Sequence, residues 1–328
     1  MRTGLPCPAC IIDDLRGALQ DAVSDETLRR SILREALAEL AGSFDYEHIP
    51  SFYITRAHRL LKTRAGVEMP FRALRERCNA AGLALAPRIG ARAAAITDPG
   101  ERLRFLIRWA IAGNHLDFRT VGTGYDLAPD RIEAALETVL SEGLAIDHTP
   151  RLLTLLRERP RVLYLADNVG EIALDMLLIR ELQDHYGCTV TVAVKGGPIT
   201  SDAVLADAEA VGLTAVAPVI VAGPDTLGIP IDEEMSAELR AALASAGLVI
   251  AKGQANYYAL SELAGPHTSS DEYPVLTRGP YTRQDSCGSP VAPTLRAPCA
   301  CLLRTKCLLA ASSLGLDCPR ANVAAVLG

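Results

Sequence analysis

The chain has 328 residues, 49% of them hydrophobic and 22% charged, enough apolar material for one large core or two modest ones. A formal net charge of -6, with arginines scattered along the first half, excludes a broad nucleic-acid surface, which needs clustered Lys and Arg. The longest apolar stretches, such as Ala215 to Ala222, fall well short of the ~20 residues that span a bilayer, and no basic segment followed by an apolar one opens the chain, so the expectation is an untargeted, cytoplasmic protein with no membrane partner.

Nine cysteines is a high count, but it is odd and the chain is long, which argues for a reducing compartment rather than a disulfide scaffold. Cys7 and Cys10 form a CxxC at the start, while Cys287, Cys299, Cys301, Cys307 and Cys318 crowd the last part of the chain. That distribution invites a metal or redox reading.

From Ile11 to about Leu155 apolar residues recur at three- and four-residue spacing, which predicts helices. Leu28, Ile32, Leu33, Ala36, Leu37 and Leu40 form one such stripe. A later helix is predicted to open with Asp98 as N-cap, Pro99 at its first position and Glu101 three residues after the cap. Its inward face runs through Leu103, Leu106, Ile107, Ala110 and Ile111 and carries Asn114 to the same side.

After about Pro160 short apolar strands alternate with helices: Val162 to Ala166, Glu171 to His185, Thr189 to Val194, Ser201 to Val211, Ala215 to Val221, Asp232 to Ala244 and Leu248 to Ala251. Near-continuous apolar strands joined by crossover helices mean a parallel sheet covered on both faces. The expected architecture is therefore a Rossmann-like three-layer α/β/α domain with a mostly parallel sheet, over 159–328, preceded by an all-helical region over 1–158. The aperiodic stretch 265–298, rich in Pro, Ser, Thr and Gly, reads as a long loop inserted in that domain. Leu302 to Ala311 then reads as a last strand running into a terminal helix.

Ligands of an open parallel sheet bind at the carboxyl ends of its strands, where helix N-termini offer free N–H groups. The first predicted strand runs into Asp167, Asn168, Gly170 and Glu171, the second into Lys195, Gly196, Gly197 and Asp202, and the fourth into Lys252, Gly253 and Asn256. Asp167, Asn168 and Asp202 offer the hard oxygen donors that Mg²⁺ and Mn²⁺ prefer, and Lys252 a cation for a phosphoryl oxygen. Gly196, Gly197 and Gly253 would let backbone amides approach closely. Taken singly, each acid or amide is an ordinary helix cap and Lys252 an ordinary solvated side chain; spacing alone leaves capping and a metal–phosphate site both standing. No Walker loop, dinucleotide fingerprint or nucleophile elbow is present, and the six histidines show no metal-ligand pairing, although His115 adjoins Asn114.

Taken together, Cys7 and Cys10, "GNHLDF" around Asn114 and Asp117, "ADNVGEIALD" from Ala166, "GGPITSDAVLADA" from Gly196, "VIAKGQANYYAL" from Val249 and "LLRTKC" up to Cys307 resemble the damage-control phosphatase family in its stand-alone prokaryotic CxxC form. The resemblance spans nearly the whole chain. It implies an enzyme, a metal-dependent phosphomonoesterase that hydrolyses small phosphorylated metabolites such as sugar phosphates or damaged phosphometabolites with Mg²⁺, Mn²⁺, Co²⁺ or Ni²⁺. The implied metal ligands are Asp167, Asn168 and Asp202, with Asp167, Asp202 and Lys252 catalytic. Asn114, Asp117, Glu171, Gly253 and Asn256 would line or support the substrate pocket.

Two departures from the family pattern stand out: Ser201 where Asn usually precedes the second-turn Asp, and Tyr258 where Glu usually follows the KGQ-motif Asn. They motivate a second reading, a catalytically weakened binding or assembly protein on the same fold. A third, carboxyl methyl transfer, lacks a visible methyl-donor loop of the usual type. Cys7 and Cys10 can join Cys307, with Cys299 or Cys301, in a structural zinc or iron–sulfur site; equally, the CxxC merely opens a helix and the other cysteines are small buried residues.

Overall fold

The computed structural model describes residues 1–117, 129–263 and 295–327, so most of the predicted 265–298 loop, with Cys287, lies outside the described residues. The first half folds into helices α1 (Cys7–Ala22), α2 (Glu26–Ser43), α3 (Pro50–Ala65), α4 (Arg72–Ala94), α5 (Pro99–Ala112), α6 (Pro129–Ser141) and α7 (Thr149–Glu158), with a two-residue strand β1 (Ile146–Asp147) ahead of α7. Helix α5 begins as predicted: the Asp98 carboxylate accepts from the Glu101 amide at 2.8 Å and Pro99 fills the first turn. The α2 stripe is narrower than expected. Only Ile32 and Ala36 are buried and Leu37 is 46% exposed, because α2 packs chiefly along a seam with α1 and α3.

The second half alternates β2 (Arg161–Leu165), α8 (Glu171–Asp184), β3 (Thr189–Val194), α9 (Leu205–Val211), β4 (Val219–Val221), α10 (Ala237–Ser245), β5 (Leu248–Lys252), α11 (Gly253–Leu263), β6 (Cys299–Arg304), α12 (Leu308–Ser313) and β7 (Asn322–Leu327). The strands form one seven-stranded sheet in the order β1-β7-β6-β5-β2-β3-β4, parallel throughout except at β6–β7. Two strands were not predicted. β1 is too short to carry a period, and β7 is a run of small apolar residues that closes the sheet antiparallel to β6.

Alternate residues of the same strands feed two separate cores. Val162, Tyr164, Val190, Val192, Ile250, Leu302 and Val326 face α5, α7 and α8, while Leu163, Leu165, Val249, Ala251, Cys301 and Leu303 face α10, α11 and α12. Both faces of every central strand are therefore dry, which is why these strands read as continuous apolar runs rather than alternations. Helix α5 lies between layers: Leu103, Leu106, Ile107, Ala110 and Ile111 join the sheet core, and Trp109 and Ala112 join the core of α1, α4 and α6. No helix among the described residues is long and apolar enough to cross a membrane.

Helix α4 meets the turn between β2 and α8 backbone to backbone. A Cβ on Gly82 would lie 2.1 Å from the Gly170 carbonyl oxygen, and one on Gly170, at φ +74°, would lie 2.5 Å from that of Cys78. Gly82→Ala should therefore force the two backbones apart and cost about 1–3 kcal/mol in urea denaturation. Gly42→Ala, in α2 with nothing within 4 Å of the new methyl, should be neutral or stabilising by up to ~1 kcal/mol. Equal midpoints for the two variants would contradict this packing.

Candidate functional site

Because β2, β3, β5 and β6 are mutually parallel, the turns that follow them converge on one edge of the sheet. The turn after β2 and the segment after β3 are stitched by backbone hydrogen bonds: Ala203 donates to the Asp167 carbonyl at 2.7 Å and Val169 to that of Ser201 at 2.8 Å, with an antiparallel bridge between Asn168 and Asp202. Asp202 is thus in an extended segment and α9 starts only at Leu205, later than the predicted Ser201. Nor do Asp167 and Asn168 cap α8, which begins after Gly170 with no side-chain cap. Capping at α9 falls instead to Asp207, whose carboxylate accepts the Val204 amide at 3.0 Å.

Freed from capping, the predicted side chains turn toward each other. Asp167 Oδ2 accepts from Asn114 Nδ2 and Asn168 Nδ2, each at 2.8 Å, and the same two amides reach Glu171 Oε2 at 3.3 and 2.9 Å. Asn114 arrives on a short 3₁₀ turn, Gly113–Leu116, at the end of α5. Asp202 Oδ2 accepts the Gly228 amide at 2.8 Å and pairs with Lys195 Nζ at 3.2 Å. The Ser201 hydroxyl, with one proton to give, sits within reach of Asp117 Oδ1 and of Asn168 Oδ1, the latter at 2.8 Å. Gly253, at φ +76°, is required where it stands, since a Cβ there would fall 1.7 Å from Asp167 Oδ2.

The lysines divide the work. Lys252 is fully buried, and its three protons go to the Ala110 carbonyl at 2.8 Å, to Asp175 Oδ1 at 2.7 Å and to Glu171 Oε1. Lys306, two residues beyond β6, pairs with Asp117 and keeps 31% of its side chain exposed. Burial works against its charge, but Asp117, and after it Asp167, outweigh burial and hold its pKa above the ordinary lysine value. From the sequence Lys195 stood at its strand end without an assigned role, and Lys306 was not named as a site residue. Applying the strand-end rule to β6 as well as to the earlier strands would have found Lys306. The Asp167 carboxyl is pushed well above the usual range, first by burial and then by the negative charge of Glu171 and Asp202.

Other predicted residues serve the scaffold. Asn256 spends both amide protons on the carbonyls of Ala166 and Lys252 at 3.0 and 2.8 Å, and its oxygen accepts the Ile229 amide at 3.0 Å. Gly196 does not offer its amide freely. A Cβ on Gly196 would lie 1.9 Å from the Gly223 carbonyl oxygen, and the Gly196 N–H is given to Pro224 at 3.1 Å, so this glycine lets two chain segments cross. Tyr258, the second departure from the family pattern, is buried, and its hydroxyl accepts from Gln254, whose Oε1 in turn accepts the Lys306 amide at 2.6 Å.

Among the described residues no group of three or more His, Cys, Asp or Glu side chains is arranged to hold a metal ion. The expected Cys7, Cys10 and Cys307 site falls under this absence. Cys7 is the first residue of α1 and its sulfur accepts the Gly4 amide at 3.3 Å, while Cys307 caps α12 by accepting the Ala310 amide at 3.4 Å. The Asp167, Asn168 and Asp202 set is of a different kind, two carboxylates and an amide. Its fit to a hard cation rests on oxygen donors brought together by the backbone bridge and on a buried excess of negative charge around Asp167.

A family model described as "Damage-control phosphatase ARMT1-like domain" matches residues 5–317. An uncharacterized protein of Methanocaldococcus jannaschii is 34% identical over 259 residues, 78% of this chain and 82% of that protein. A damage-control phosphatase of Archaeoglobus fulgidus is 31% identical over 257 residues, 78% of this chain and 86% of that one. Among solved structures, a DUF89 family protein from Pyrococcus horikoshii superposes with a TM-score of 0.79 at 26% identity, covering 100% of both chains. With the match running nearly end to end and the strand-end motifs gathered on one edge of the sheet, the chain belongs to the damage-control phosphatase ARMT1-like family.

Proposed function

We propose that the chain is a divalent-metal-dependent phosphomonoesterase that hydrolyses small phosphorylated metabolites, sugar phosphates or damaged phosphometabolites. The observation that carries this reading is the backbone bridge between Asn168 and Asp202, which sets two carboxylates and an amide side by side on the sheet edge that also bears Lys306. Asp167, Asn168 and Asp202 would hold Mg²⁺, Mn²⁺, Co²⁺ or Ni²⁺. Bound there, such an ion supplies Lewis-acid neutralisation of phosphoryl charge.

The roles of the chain's own groups follow from what each has left to give. Lys306, partly exposed and oriented by Asp117, is the cation that meets the phosphoryl oxygens. Lys252, with every proton committed, fixes Glu171 and Asp175 and through Glu171 the amides of Asn114 and Asn168. Asn114 and Asn168 orient the Asp167 carboxylate by donating to one of its oxygens. Ser201 stands between Asn168 and Asp117 with one proton to give to either, so the residue that departs from the family pattern lies where the metal side of the site meets the lysine side.

Phosphate release from p-nitrophenyl phosphate and a panel of sugar phosphates tests the proposal, using metal-stripped protein resupplied with each ion in turn. Metal should restore release in the native protein and not in Asp167→Ala; release that survives that substitution sinks the assignment, and none with any ion favours a binding protein. Lys306→Met should raise KM about 10- to 100-fold, the worth of a hydrogen bond to a charged group, with a smaller loss of stability than at Lys252 because it leaves one buried carboxylate, Asp117, which the Ser201 hydroxyl still reaches. Lys252→Met should instead lose ~3–5 kcal/mol of stability, because it strands two buried carboxylates. A KM effect without destabilisation at Lys252 would reverse these two roles.

A further inference from the structure

Arg75 is among the largest fully buried side chains, and it lies on α4, far in sequence from every strand-end motif. Its Nη1 donates to the Thr200 carbonyl and its Nη2 to the Asp202 carbonyl, both at 2.8 Å, and Nη2 also pairs with Asp207. One planar fork thus grips the second ligand segment on either side of Ser201. Four residues along the same helix, Asn79 donates to Asp207 Oδ1 at 3.1 Å and accepts the Gly170 amide at 2.8 Å, taking hold of the first ligand turn. Asp207 completes the set by capping Val204 at 3.0 Å.

Burying a guanidinium is costly, and packing α4 against α8 would not need one. What the fork adds is angular: two carbonyls and a carboxylate are held in a fixed plane, which an ammonium cannot reproduce. We propose that Arg75, with Asn79 and Asp207, is a positioning residue of the cation site, setting the second ligand segment against the first so that Asp202 faces Asp167 and Asn168. This inference rests on the reading of that edge as a divalent-cation site. It goes further in making a helix of the N-terminal half responsible for the alignment of ligands it does not itself supply.

The test is Mn²⁺ affinity, read from the free-ion EPR signal of metal-stripped protein, with denaturation midpoints measured in parallel. Arg75→Ala should weaken Mn²⁺ binding ~10- to 100-fold, the usual effect of losing a partner that orients a metal ligand. Arg75→Lys should fall between it and the native protein, Asn79→Ala should also weaken binding, and guanidinium ion added to Arg75→Ala should recover part of the loss. Ile89→Ala, a buried cut further along α4, should lower the midpoint and leave affinity within twofold of native. Native-like affinity in Arg75→Ala, or an Ile89→Ala loss as large as that of Arg75→Ala, overturns the proposal while the cation reading stands. If Arg75→Ala does not fold, Arg75→Lys and Asn79→Ala decide it by the same measure. A native protein that binds no Mn²⁺ removes the cation reading and this inference together.

Discussion

The edge of the sheet has to hold more buried negative charge than a protein interior tolerates unpaired. Asp167, Glu171, Asp175 and Asp202 all lie out of water, Asp167 in the turn after β2, Glu171 and Asp175 in the first turns of α8 and Asp202 in the segment after β3. A buried carboxylate is stable only when a cation or several donors answer it. Lys252 answers Glu171 and Asp175, and Lys195 answers Asp202. The hydrogen bonds to the Asp167 side chain, by contrast, come from amides, and its carboxyl titrates high. Asp167 thus meets the field of Glu171 and Asp202 where the two turns come together, with Lys195 and Lys306 acting against it from further off.

That field depends on elements from both halves of the chain. Helix α5 delivers Asn114 and the Ala110 carbonyl, α4 delivers Arg75 and Asn79, and the sheet delivers the acids and lysines. Helix α5 is buried on two faces at once, against the sheet and against the outer helices, so its register is fixed by packing on both sides. The helical half is therefore part of the site's geometry.

Much of this was legible in the sequence because the signals were local. The Asp98 cap, the apolar strands and the residues just past each strand end are short-range patterns, and the fold places Asp167, Asn168 and Asp202 together as the strand-end rule expects. What was not legible depends on distant parts of the chain. Lys252 ends β5 and Lys306 follows β6, and only the positions of Glu171, Asp175 and Asp117 reveal that every proton of the first is committed while the second keeps part of its side chain exposed. Arg75 sits in a helix with no strand-end context, and its partners are carbonyls, which leave no mark in a sequence. β7 went unseen because its small residues acquire a strand's hydrogen bonds only from β6.

The place of β7 also bears on how the chain is made. Last of the described strands in chain order, it lies inside the sheet, antiparallel to β6 on one side and parallel to β1 on the other. β1 precedes β2 in the chain and β7 follows the other described strands, so β1 cannot pair with β7 until synthesis has passed almost the whole α/β half. The helices of the outer core can pack as they emerge, but α5 and α7 must wait for the sheet they face, and that sheet closes only once β7 has emerged. Closure is thus a late and non-local event, and the nascent sheet must keep the β6 edge free of other strands until then.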